Sequence, residues 1–162
     1  QASFFTEADL RLLAAICDTL MPSIAEPDDP HGYFALAASD LGVPQAVAGA
    51  LASLPSNADR AQIKLLFRLL ASPALGLLLA GQPRAFLALD QAGRERFLRS
   101  MAASQLPQLR SGFQALKRLT LVNFHGLADE HMRNPSWPAI GDSGPISRPP
   151  AVQDPPGPGR RT

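Results

Sequence analysis

The sequence predicts an all-α protein, a single multi-helix domain of six to eight helices followed by an extended Pro/Gly-rich C-terminal tail. Three observations predict it. Leucine and alanine dominate a hydrophobic content of 46%, while aromatics amount to only 6% and isoleucine and valine are few, so strand-favouring residues are scarce. Apolar residues recur at three- and four-residue intervals from Leu10 to Leu119. Proline and glycine fall mainly between these periodic runs, then crowd together beyond Met132. A length of 162 residues suits one domain with a tail.

The elements follow in order. Thr6, with Asp9 three residues later, makes a short version of a capping box, and Leu10, Leu13, Cys17 and Leu20 give the first helix its apolar stripe up to Pro22. "AEPDDPHG" is a polar loop, and a helix is expected through Tyr33, Phe34, Leu36 and Leu41, closing at Gly42. Pro44 suits the first turn of the next helix, with Val47, Leu51 and Leu54 on one side. After Pro55, "NADRAQIKLLFRLLAS" carries a stripe of Ile63, Leu66, Phe67 and Leu70, with Asp59, Lys64 and Arg68 off it.

Ser72 and Pro73 then open "PALGLLLAG". Residues 65 to 81 are apolar, but Arg68 and Pro73 interrupt them before the roughly 18 to 20 residues of a membrane span, so no transmembrane span is expected and a buried helical hairpin is. Asp90 caps a helix with Phe97, Leu98 and Met101 inward and Arg94, Glu95, Arg96 and Arg99 mostly outward. The longest candidate runs from Leu106 to His125 on Leu109, Phe113, Leu116 and Leu119 or Thr120, and Gly126 offers a left-handed closure. From Gly144 onward proline or glycine stands at almost every second place, as in a linker.

A formal net charge of +1, with no exposed aromatics interleaved with arginine, argues against nucleic-acid binding. The single cysteine, Cys17, provides neither a disulfide framework nor a cysteine-based metal site. The sequence begins at Gln1 with no basic region followed by an apolar run, so any targeting segment was removed or never present, and no localisation is assigned.

Several motifs carry less chemistry than they suggest. "GDSGP", Gly141 to Pro145, looks like the nucleophile segment of a trypsin-like protease, but the β-barrels that hold the histidine and aspartate are not predicted, so Ser143 receives no catalytic role. His125, Asp129, Glu130 and His131 offer metal-ligand chemistry, yet the histidines are six apart and fall on different helix faces. Asp28 and Asp29 lack the remaining oxygen ligands of a calcium loop and read as a solvated turn. Arg94, Arg96, Arg99, Arg110, Lys117 and Arg118 spread over several helix faces and read as solvated surface. No glycine fingerprint follows a predicted strand, so no catalytic, cofactor-binding or metal residue is assigned.

Three segments, "LRLLAAICDTLMPSI", "SMAASQLPQLRSGFQALKRLTLVNF" and "NPSWPAIG", appear in this order within residues 6 to 145. Together they resemble the helical region preceding the flavin domain of long-chain fatty alcohol oxidases, which are GMC (glucose, methanol, choline) oxidoreductases. They also resemble the small subunit, subunit 3, of gluconate 2-dehydrogenase, a separate chain beside a flavin-carrying large subunit. The resemblance implies a noncatalytic accessory domain or small subunit in residues 1–132, a docking segment in 133–145 and a linker or tail in 146–162. It also implies FAD in a partner body, fused or separate, and none in this chain. Asn134, Pro135, Trp137, Pro138, Ile140 and Gly141 are the residues expected to dock. Pro135 and Pro138 restrict the backbone around the indole of Trp137, which either anchors an interface or packs back on its own helices, and a seam between two bodies allows both. The competing role is a free-standing helical interaction protein or chaperone that escorts a flavoprotein.

Overall fold

Each helix begins where a side chain or a proline relieves its first turn. The computed structural model describes residues 4–30, 32, 34–127 and 134. They form one all-α domain of six α-helices: α1 (Glu7–Leu20), α2 (Val43–Ala52), α3 (Asn57–Leu70), α4 (Pro73–Ala80), α5 (Gln91–Ala102) and α6 (Pro107–Gly126). No strand occurs among the described residues. The Thr6 hydroxyl accepts from the Asp9 N–H at 3.1 Å while the Asp9 carboxylate accepts from the Thr6 N–H at 2.9 Å, which completes the expected capping box. Ser56, Ser72 and Asp90 cap α3, α4 and α5, each side chain accepting from one backbone N–H of the first turn. Prolines occupy the first turns of α2, α4 and α6, where a missing N–H leaves no bond unmade.

The core lies where α1, α2, α5 and α6 meet, with α4 against the outer side of α5. Leu13, Ile16, Cys17, Val47, Phe67, Leu70, Phe97, Met101 and Phe124 are fully buried there. α3 joins this body through Phe67, whose ring lies 5.1 Å from that of Phe5, and through Lys64. The Lys64 ammonium reaches the Asp9 carboxylate at 3.1 Å and sits over the Phe4 and Phe5 rings. Burial pushes the Asp9 carboxyl up, but hydrogen bonds from Thr6 and the Lys64 charge outweigh it and hold the group below its ordinary value.

Three expectations are corrected. The inward face of α1 is centred on Leu12, Leu13, Ile16 and Cys17, which leaves Leu10 exposed. The expected helix through Phe34, Leu36 and Leu41 shrinks to a 3₁₀ turn, Ala38–Leu41, while Tyr33 lies outside the described residues. Its backbone is committed elsewhere: the Phe34 N–H donates to the Asp29 carboxylate, the Phe34 carbonyl accepts from Ile24, and the Ala38 N–H donates to Met21. Gly42 closes the turn in the left-handed conformation, as anticipated.

The third correction concerns α3 and α4, which are not a buried hairpin. They bend by 74° at Ala71 and Ser72, so that α4 turns one face to α5 and leaves Leu77 and Leu78 outside, as α3 leaves Leu65 and Leu69. No single described helix is long and apolar enough to cross a membrane, and only this bent pair together reaches that length and composition. Glu95, Arg96 and Arg99 face outward as expected, and among these four it is Arg94 that is half-buried. Its guanidinium donates to the Leu87 carbonyl and lies over the Phe86 ring, while Arg96 donates to the Ala80 carbonyl at the end of α4.

Gly76 sets how closely α4 meets its own return. A Cβ there would stand 1.8 Å from the Arg84 carbonyl oxygen and 3.0 Å from that of Gln82, both backbone atoms that no rotamer change moves aside. Gly49, exposed within α2, has nothing within 4 Å of the same position. Gly76→Ala is therefore expected to destabilise the domain by at least about 2 kcal/mol, and Gly49→Ala to stabilise it by about 0.5–1 kcal/mol. Urea denaturation of the two variants checks both signs; equal stabilities would contradict the close approach.

Candidate docking site at the end of the longest helix

A helix leaves its last four carbonyls without partners inside the helix, and a buried end must find them elsewhere. α6 ends beside fully buried Phe124. The Asn123 carbonyl accepts from the Leu127 N–H at 2.8 Å. Asn134, only 2% exposed, returns to the same end, and its side-chain amide donates to the Phe124 carbonyl at 2.6 Å and to the Leu127 carbonyl. Gly126 does not take the expected left-handed conformation. It is the last helical residue, and Leu127 leaves in an extended conformation because the Asn134 amide supplies the donor that a left-handed glycine closure would have supplied.

Asn134 is thus the member of the expected docking set that the structure places, as an internal cap on α6. Pro135, Trp137, Pro138, Ile140 and Gly141 lie outside the described residues, as does Ser143. Of the polar cluster weighed for a metal, His125 is exposed with its ring edge-on to Phe124, and Asp129, Glu130 and His131 are outside the described residues. Among the described residues no three His, Cys, Asp or Glu side chains gather at one place. The Asp29 carboxylate accepts from Phe34 within a local turn.

The polar chemistry of the first segment is architectural. Cys17 Sγ lies 3.4 Å from the Thr120 hydroxyl in the α1–α6 seam. Burial pushes its thiol up to about 11, which keeps it neutral and unsuited to nucleophilic work. The Asp18 carboxylate accepts from both the N–H and the hydroxyl of Ser39, at 2.8 and 2.7 Å, and so ties the 3₁₀ turn to α1. In the second segment Pro107 starts α6, Leu109 and Leu116 enter the core, and Arg110 donates to the Ser104 carbonyl. Sequence reasoning missed the Asp18–Ser39 and Asn134–α6 pairs. The conspicuous signal for the second was an asparagine just before a proline, beyond the end of a helix.

The family described as gluconate 2-dehydrogenase subunit 3 matches residues 7–130, which takes in all six helices. The chain belongs to that family. Long-chain-alcohol oxidase FAO4A of Arabidopsis thaliana is 30% identical over 148 aligned positions, covering 82% of this chain and 20% of the oxidase. This subunit 3 family member thus spans about a fifth of the length of that relative. No solved structure matches it. The family match ends before Asn134, so the segment expected to dock lies beyond it.

Replacing Asn134 separates its two consequences. Asn134→Ala leaves two carbonyls without their donor and is expected to lower stability by about 1–3 kcal/mol. Asn134→Asp places an acceptor against acceptors at the negative end of a helix dipole and is expected to be worse than alanine at neutral pH. The buried carboxyl's pKa is then raised above its unfolded value, so the added penalty is full above the raised pKa, shrinks as pH falls toward the unfolded value of about 4, and is gone below it, where the acid is protonated in both states and again donates. Denaturation of both variants across this pH range checks the crossover; parallel pH curves would contradict the cap.

Proposed function

We propose that the chain is a noncatalytic helical accessory domain or small subunit of an FAD-dependent, GMC-type alcohol oxidoreductase. In this reading residues 1–132 form the helical unit, 133–145 the segment that docks on the flavin-carrying body, and 146–162 a linker or tail. The observation that carries it is the family match over residues 7–130 together with the identity to a long-chain-alcohol oxidase many times longer than the matched part. The associated reaction is oxidation of a primary alcohol, long-chain by analogy with that relative, with hydride passing to FAD on the partner body. The helical unit suits such a division of labour. Among its described residues there is no strand-to-helix glycine turn of the kind that holds a dinucleotide pyrophosphate.

Asn134 supports the docking role because it fixes the start of the segment to the end of α6. A segment tied down at one end gives up less freedom when its other residues dock, and Pro135 and Pro138 restrict it further. Trp137 is the residue there with the largest area to bury.

The isolated chain is expected to be colourless near about 450 nm, where a bound flavin absorbs, and its complex with the flavin-carrying polypeptide to be yellow. Trp137→Ala is expected to weaken that complex roughly thirtyfold, equivalent to about 2 kcal/mol, with the helical content of the isolated chain unchanged. Visible spectra, circular dichroism and affinity measured in parallel check this. A stoichiometric flavin on the chain alone would overturn the accessory role, and an early-melting Trp137→Ala chain that binds normally would make the indole a core residue.

A further inference from the structure

α3 and α6 do not close on each other. Between them runs a cleft of about 1160 Å³ whose floor is Leu51, Phe67, Leu109 and Leu116, all buried. Leu66 bridges the two helices against Gly112, where a Cβ would come within 2.9 Å of its Cδ2. On the α3 rim Leu65 and Leu69, one helical turn apart, remain 56% and 39% exposed. Along α6 the cleft extends from Pro107 to Leu119, about 18 Å at 1.5 Å per residue, or three turns of helix.

We infer that this cleft seats an amphipathic helix of the flavin-carrying polypeptide, apolar toward Leu65, Leu66 and Leu69 and acidic toward α6; the inference rests on the accessory reading above. Several observations select this occupant. The α6 rim carries Arg110 and Arg118, with Arg118 forming no ion pair among the described residues, whereas the α3 rim carries Asp59. A partner helix complements that rim with carboxylates on its α6 side.

The open rim disfavours a lone alkyl chain, because such a ligand needs most of its surface enclosed. A helix buries only one face and leaves the other in water. The protein's own remaining segment does not supply it, since residues 135–162 contain no proline-free run longer than 139–144. The relative, by contrast, holds most of its length outside the matched part.

The test uses the full chain in its complex or fusion with the flavin-carrying polypeptide. Leu69→Cys is labelled with a maleimide benzophenone, which stays off fully buried Cys17, and Ser143→Cys is labelled separately as a probe of the docking segment. Irradiation and mass spectrometry are expected to join position 69 to a flavoprotein segment with apolar residues at helical spacing and acidic neighbours. The double variant Leu65→Ala/Leu69→Ala is expected to weaken the complex by about tenfold or more with its circular dichroism unchanged, because both side chains are exposed in the isolated chain.

Crosslinks from position 69 to a second copy or to residues 135–162 would overturn the inference. So would loss of the crosslink on adding 1-dodecanol. If position 143 crosslinks to the flavoprotein and position 69 does not, the cleft assignment falls and the accessory role stands. If no complex forms with the flavoprotein, both fall.

Discussion

At the end of α6 Phe124 is fully buried, and its carbonyl must be satisfied without water. The rest of the arrangement follows from that requirement. α6 touches α1, α2 and α5, and its last turn places Phe124 in the core, so the terminus cannot be moved outward without opening the centre of the domain. The solution is the amide of Asn134, drawn back to the Phe124 and Leu127 carbonyls. One side chain thereby stabilises the helix end and fixes where the following segment begins, which links packing to the surface available to a partner.

The other helix ends show the same economy with different residues. Arg94, Arg96 and Arg110 donate to the carbonyls of Leu87, Ala80 and Ser104, so residues that look like a scattered basic surface serve as closures of turns and helices. Gly76 permits the tight return after α4, where the Arg84 carbonyl occupies the space of a side chain. Lys64 unites α3 with the start of α1 through one carboxylate and two aromatic rings. These are pairings across the sequence, and they explain why a Leu- and Ala-rich chain with few aromatics adopts one packing.

What the sequence made legible was local. Thr6 with Asp9, Ser72 with Pro73, Asp90, Pro44 and Gly42 act within a few residues of where they stand, so their type and spacing announce the helix boundaries. The failures have a common cause in tertiary partners that no window contains. Phe34 to Ala38 has apolar residues at helical spacing, but Asp29, Ile24 and Met21 take its backbone groups. Gly126 looked like a left-handed closure, and a residue eight positions later made that conformation unnecessary. The boundary segment was visible as a departure from helical period, and Asn134 within it had no visible target until α6 was folded.

The family match over residues 7–130 and the placement of Asn134 just past its end together favour a helical unit that passes to its partner at the C-terminal end of α6. The most direct measurement of that claim is hydrogen exchange, read by mass spectrometry on the chain alone and joined to the flavin-carrying polypeptide. The account predicts slowed exchange from Asn123 through Asn134 on association, with α5 and its contact with α4 unaffected. Unchanged exchange at the end of α6, with protection appearing on the exposed side of α5 instead, would contradict it.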